Sequence, residues 1–156
     1  MLKKIGAVAI SAFFIGLIFL LVKFGAGSSH ENQSSVVIKG EKFSVELADS
    51  PIKKMIGLAG RKSLDKNEGM LFPFENPTAP AFWMKGMLIT IDIIWIRDGK
   101  VIGFEENLKP EGNKIDADLK MYRPSGPVDS VLEVAAGTVS ELGIATGDVV
   151  TINLSK

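Results

Sequence analysis

From Ile5 to Val22 the chain runs 18 residues without a charge, between Lys3-Lys4 on one side and Lys23 on the other. A helix rising about 1.5 Å per residue covers about 27 Å with such a run, close to the roughly 30 Å hydrocarbon core of a bilayer. No water is present there to satisfy backbone amides, so within lipid the segment has to be helical. Residues 1–24 are therefore expected to be a retained membrane anchor or a secretory signal. The apolar core of a signal is shorter, about 7–15 residues, although Gly25-Ala26-Gly27 supplies the small residues that cleavage needs. Two lysines before the run against one after it put the N-terminus inside and everything beyond outside. This describes a single-pass protein of the cytoplasmic membrane, held through residues 5–22. Cleavage would instead release a secreted or periplasmic domain.

The remainder has a different character. All 18 acidic residues lie beyond Gly27 together with 15 of the 18 basic ones, a net charge of −3 for that part. Without an excess of basic residues or a basic stripe it is a poor match for nucleic acid. Cysteine is absent, which removes disulfides, thiolate catalysis and thiolate metal sites. Residues 25–35 (GAGSSHENQSS) are small and polar and read as a flexible tether, which carries His30, the one histidine.

Residues 36–156 read as one β-rich globular domain. Val36-Val37-Ile38 and Phe43 to Leu47 flank the turn Lys39-Gly40-Glu41-Lys42, the pattern of a hairpin. Ser50 is a good N-cap and Pro51 suits a first helical position. Ile52, Met55, Ile56 and Ala59 then form one apolar stripe that ends at Gly57 and Gly60. Short apolar pieces follow, broken by Pro73, Pro77 and Pro80. Ile89 to Ile96 is the strongest strand signal, and Asp98-Gly99 behind it marks a two-residue hairpin turn. Glu105 to Pro127 reads as a long surface loop and Val128 to Val134 as a strand. Thr138 and Glu141 have capping-box spacing for a short helix ending at Gly143, before a last strand from Val149 to Leu154. Six or seven short strands with two short helices predict a mainly β (α+β) domain, a compact antiparallel β-sandwich or open barrel.

Several blocks carry a resemblance. They are Gly57-Leu58 with Arg61 and Ser63-Leu64; Gly69-Met70-Leu71-Phe72; Phe82-Trp83-Met84-Lys85 with Leu88-Ile89 and Ile91-Asp92-Ile93-Ile94. Asp98-Gly99-Lys100-Val101, Pro110, Val131-Leu132-Glu133-Val134, Ala136-Gly137, Gly143 and Gly147-Asp148 continue the series. Together they resemble the bacterial and archaeal domain-of-unknown-function family 192, over about Phe43 to Leu154. Two places depart from the family pattern: Gly86-Met87 stands where Asn-Thr is usual, and Ala59 where Met is usual. The resemblance implies a compact β-rich fold behind a signal or anchor, and it implies no reaction.

The residues themselves say more. With no cysteine and the one histidine in the tether, Ser-His, Cys-His and zinc chemistries are excluded, and neither a metal nor a cofactor is called for. Asn113, Asp116 and Asp118 lack the glycine and terminal Glu of a calcium loop and read as solvated. On an extended segment Phe82 and Met84 face one way, Trp83 and Lys85 the other. In the next strand Ile91, Ile93 and Trp95 share a face opposite Asp92, Ile94 and Ile96. Asp92 is thus a carboxylate inside a greasy strand, and burying it unpaired would cost several kcal/mol. Lys85 and Arg61 are the cations expected to meet it, with the Trp83 indole N–H as a further donor. The outcome is either a structural ion pair or a ligand site. Glu133 shares a face with Val131, and its plain reading is a residue in water.

The candidate ligand-binding set is therefore Arg61, Trp83, Lys85, Asp92 and Glu133, with no residue assigned a catalytic role. A membrane-tethered binding or accessory domain for a small molecule or an envelope protein ranks first. A structural subunit of an envelope assembly comes next. A carboxylate-dependent hydrolase of extracytoplasmic glycans, with Asp92 and Glu133 as acid and base, comes last.

Overall fold

The structure, a computed structural model, describes residues 33–112 and 114–155. The apolar run Ile5–Val22, His30 and Asn113 lie outside them. Among the described residues no helix is long and apolar enough to cross a membrane.

Seven strands and two short helices make up the domain. In chain order they are β1 (Ser35–Ile38), β2 (Glu41–Leu47), α1 (Pro51–Ile56), β3 (Glu68–Thr78), β4 (Ile91–Arg97), β5 (Lys100–Leu108), β6 (Val128–Ala135), α2 (Thr138–Leu142) and β7 (Val150–Asn153). A 3-10 turn covers Asp116–Asp118. Ser34 and Ser35, the end of the expected tether, are buried, and Ser35 already belongs to β1.

The strands form one sheet in the order β5-β4-β6-β3-β2-β1-β7. Every neighbouring pair is antiparallel except β2 and β3, which run parallel across the crossover that contains α1. The sheet curls into a half-barrel until its two edges touch. Lys100 bridges to Val149, Val150 N–H donates to the Gly99 carbonyl and Val101 N–H to that of Asp148, each at 2.9 Å. Of the two expected architectures the open barrel is the nearer, with a parallel pair that the antiparallel expectation did not contain.

The reason lies in β4 and β6. Ile91 to Ile96 are all buried, as are Ser130 to Val134, so both faces of the central strands need cover. Inside the curl, Phe43, Leu71, Ile94, Leu132 and Val134 pack with Val36, Val101 and Val150, and every strand contributes. On the outer face, Met70, Phe72, Ile91, Ile93, Trp95 and Val131 are covered by residues from the connections, among them Leu58, Met84, Met87 and Tyr122. A two-sheet sandwich would bury only one face of each sheet. Here one sheet is buried on both faces along its middle.

Local signals hold where the backbone decides them. Lys39-Gly40 and Asp98-Gly99 make two-residue turns with all four residues at positive φ, as hairpins of this kind require. The first turn is tighter than expected, since Glu41 and Lys42 already belong to β2. The Ser50 hydroxyl accepts from Lys53 N–H at 3.3 Å and Pro51 opens α1. Other expectations need correction. Of the three prolines only Pro80 stands at a break, just past the end of β3. Pro73 and Pro77 sit inside the 11-residue β3, whose register with β6 shifts between Pro73 and Thr78. β5 extends to Leu108, deep into the expected loop.

The apolar stripe on α1 does not enter the core. The helix has only six residues, too short for a stripe spread from i to i+7, and none of them is buried. Ile52 and Met55 are each 65% exposed, while Leu58, just past the helix, is fully buried and anchors the segment.

Candidate functional site

Two buried carboxylates stand on neighbouring strands of the sheet. Asp92 lies opposite Val134, and Glu133 opposite Ile93, so they point to opposite faces. The acid–base pair expected of a glycan hydrolase is therefore not formed across any shared cleft.

Asp92 is fully buried. Across β4 and β5 the register passes from Ile91–Leu108 to Ile93–Glu105, which leaves two residues of β5 opposite Asp92. One of them, Asn107, has φ +54°. Asp92 Oδ1 accepts from Asn107 N–H at 2.8 Å and Oδ2 from Val139 N–H at 2.9 Å. The first bond holds the bulge. The second satisfies an orphan amide in the first turn of α2, where a carboxylate is also favoured by the helix dipole. The expected capping box is absent: Gly137 is the N-cap, the Thr138 hydroxyl donates to the Ala135 carbonyl at 2.6 Å, and Glu141 pairs with Lys66. A strand residue 47 positions away does the capping instead.

The expected cations are elsewhere. Lys85 pairs with Asp116 at 2.6 Å on the surface, and Arg61 donates to Glu46 Oε2 at 2.6 Å. That hydrogen bond holds the Glu46 carboxyl below its usual range and raises Arg61. No ion pair joins Asp92 to Lys85 or to Arg61, because backbone amides already satisfy the carboxylate.

Glu133 is the reverse case. It is 5% exposed where a solvated side chain was expected. Met70 and Ile93 flank it on β3 and β4, and its Oε2 has no hydrogen-bond partner. Burial pushes its carboxyl up to about 8, against a weaker downward pull from Arg61. This carboxyl lines a cavity of about 110 Å³ between α1, β3 and the Phe82 segment. Phe72, Phe74, Phe82 and Trp83 contribute its aromatic lining, and Lys54 and Lys85 also line it.

The walls are fixed. Phe82 packs edge-on against Phe72 at 5.0 Å and against Trp95 at 5.5 Å between ring centroids. It is also bridged to Tyr122 by two backbone hydrogen bonds of 2.9 Å. Its segment is a connection with that one bridge, yet the expected alternation holds: Met84 is buried, while Trp83 and Lys85 are exposed. Gly57 closes α1 at φ +53° and ψ −135°, a conformation that side chains disfavour. A Cβ built on it would lie 3.6 Å from Glu133 Oε2 and 3.5 Å from the Phe72 ring. A second cavity of about 300 Å³ shares Ile56 and Gly57 but not Glu133.

Of the candidate set, the cavity gathers Trp83, Lys85 and Glu133; Arg61 acts on it only through its charge, and Asp92 is not part of it. Gly57, Phe72 and Phe82 were missed. Each stands in a block that carries the family resemblance, and Glu133 is a lone charge in the otherwise apolar run Val131 to Val134.

Comparison with known proteins decides the relationship. The family model DUF192, described as an uncharacterised ACR, matches residues 34–152. The chain belongs to the DUF192 family. Two solved structures are similar to this DUF192 domain. One, a candidate transcription regulator from Sinorhizobium meliloti 1021, is 29% identical with a TM-score of 0.67, covering 77% of this chain and 92% of that one. The other, a protein of unknown function from Novosphingobium aromaticivorans DSM 12444, is 32% identical with a TM-score of 0.67, covering 76% and 83%. No curated protein matches. The two departures from the DUF192 pattern meet in space. A Cβ on Gly86 would lie 3.5 Å from that of Ala59, and Gly60 N–H donates to the Gly86 carbonyl at 2.9 Å.

Proposed function

We propose that this DUF192 protein is a membrane-tethered, extracytoplasmic binding module whose ligand enters the cavity lined by Glu133. The observation that carries the reading is the unpartnered Oε2 of a buried carboxyl at an aromatic-walled opening. An unsatisfied buried polar group costs free energy that a fold recovers elsewhere, and a ligand that completes its bonding is one way to do so. Residues 5–22 supply the tether and Lys3-Lys4 the orientation. The regulator description of the Sinorhizobium protein finds no support here, since the part beyond Gly27 carries −3 and no basic stripe.

A fragment screen by thermal shift on the full chain in lipid nanodiscs, repeated with Trp83→Ala, tests the binding. A compound that stabilises the parent and not the variant is expected. A screen in which every stabiliser acts equally on both would remove this cavity as the site. Protease added outside intact cells should degrade the domain, and protection would overturn the orientation.

A second reading draws on α1. Ile52, Met55 and Ile56 stay exposed on α1, and Met55 and Ile56 line the same opening as Trp83, a surface that suits an envelope-protein partner. Photo-crosslinking from position 55 in cells would give a discrete adduct on that reading and none otherwise.

A further inference from the structure

We infer that the Glu133 cavity receives a small organic ammonium group, the cation that its buried carboxylate lacks. This rests on the binding reading above and names the ligand class.

A carboxylate in apolar surroundings must either be protonated or meet a positive charge. The protein's own cations around it are committed. Arg61, in the turn after α1, is held by Glu46. Lys54, on α1, donates to the Pro73 carbonyl at 2.6 Å and lies 4.6 Å above the centre of the Phe74 ring. Lys85, on the Phe82 segment, is held by Asp116. The strands on either side offer only Met70 and Ile93. Once this carboxyl loses its proton, the balancing positive charge has to come from outside.

The walls select which one. Ring faces carry a negative quadrupole, and aromatic side chains beside a carboxylate attract ammonium groups, methylated ones most of all. Phe72, Phe82 and Trp83 supply such rings, while Phe74 already holds Lys54. Calcium or magnesium needs six or more oxygens and zinc about four nitrogen, sulfur or oxygen ligands, whereas Glu133 is the one carboxylate lining the cavity and no histidine or cysteine lines it. An anion would meet Glu133 head-on, and a neutral apolar ligand would leave it unsatisfied. Gly57 keeps the approach open, because any side chain there begins 3.6 Å from Oε2.

Protonation gives the inference a signature. With burial holding the Glu133 carboxyl up at about 8, an ammonium that binds at neutral pH displaces its proton. Affinity then rises about tenfold per pH unit and flattens above the titration. Arg61 with Glu46, Lys54 and Lys85 with Asp116 are the charged groups around it. Ammonium groups come from free amines and from lipid headgroups alike, so both sources belong in the test.

Choline chloride is the probe, and 3,3-dimethyl-1-butanol is its uncharged counterpart of the same shape. Calorimetry on the full chain in phosphatidylglycerol nanodiscs, from pH 6 to pH 9, should show choline binding that tightens with pH and outcompetes the alcohol at pH 9. Glu133→Gln should weaken choline at least tenfold. The pH series on the unaltered protein stands by itself should that variant fold poorly. If the alcohol binds as tightly as choline at pH 9, or choline affinity does not change with pH, the ammonium class is wrong although the cavity still binds. If neither probe binds and the fragment screen is empty as well, the binding reading falls with it. Weaker apparent choline affinity in phosphatidylcholine discs assigns the group to a lipid headgroup; equal affinity assigns it to a free amine.

Discussion

Asp92 and Glu133 are buried to nearly the same degree on adjacent strands, yet one is closed and the other open. Asp92 faces the inside of the curl, where each carboxylate oxygen accepts a backbone amide. Glu133 faces the outer layer, where Oε2 accepts nothing and a cavity begins. Burial alone therefore does not distinguish a structural acid from a functional one. What separates them is whether the surrounding polymer completes the group's hydrogen bonding.

The most direct way to break this contrast is to remove Asp92. Asp92→Ala strands the amides of Asn107 and Val139 and removes the cap of α2. Hydrogen bonds to a charged acceptor contribute about 1.5–3 kcal/mol each, so a loss of roughly 3–6 kcal/mol is expected. Asp92→Asn keeps an acceptor for one amide and should lose about half as much. Urea denaturation checks both. A loss under about 1 kcal/mol for the alanine variant would mean that water replaces the carboxylate, and Asp92 would no longer be the closed member of the pair.

Glu133 should behave in the opposite sense. Its folded carboxyl titrates at about 8, raised from the ordinary 4.5 by burial. Between those values the folded protein holds a proton that the unfolded chain has released. Stability from this group is thus full below about 4.5 and is lost as pH rises from there through about 8, by roughly 3–5 kcal/mol. Glu133→Gln cannot titrate, so it should match the parent near pH 5 and exceed it at pH 9. The carboxyls of Glu46, Asp49, Glu111 and Asp148 are all shifted downward and act at lower pH. The difference between parent and variant from pH 5 to pH 9 therefore isolates Glu133. Parallel curves for the two proteins would show that Glu133 is ionised and already paired.

Much of the frame was legible because local chemistry dictates it. Asp98-Gly99 requires a tight hairpin turn, Ser50-Pro51 opens a helix, and the alternation from Ile91 to Ile96 divides correctly between the two faces. That Asp92 is buried could be read from its apolar neighbours. Its partners could not, because both donors are main-chain amides, and an amide leaves no mark in a sequence. Lysine and arginine were the visible candidates, and neither reaches it. Glu133 failed for a related reason. Period-two logic sets a side chain's face but not whether that face is wet, and the layer over β6 comes from connections that are distant in sequence. The α1 stripe misled because periodicity says nothing about how many turns the helix completes.

Gly57 tests how firmly the open site is held. Its φ of +53° with ψ −135° is strained for any side chain, and Gly57→Ala should cost about 1–2 kcal/mol through the backbone. The new methyl would meet Phe72 and Glu133 at ordinary contact distances of 3.5 and 3.6 Å, so packing adds little to the loss. Its larger effect should be on access, with ligand binding weakened more than folding. Equal losses in melting temperature and in affinity would show that Gly57 shapes the helix end and not the cavity.

The smallest effect sharpens the contrast from the other side. Lys85 lines the cavity, but its ammonium is tied to Asp116 on the surface, with 53% and 74% of the two side chains exposed. Exposed pairs contribute little, so Lys85→Ala should change stability by less than about 0.5 kcal/mol. A lysine that balanced Glu133 would give a different result. Its removal would raise the Glu133 carboxyl further and steepen the fall in stability between pH 5 and pH 9. An unchanged pH profile in Lys85→Ala leaves Glu133 as the charge this domain does not neutralise, and a steepened one makes Lys85 its partner.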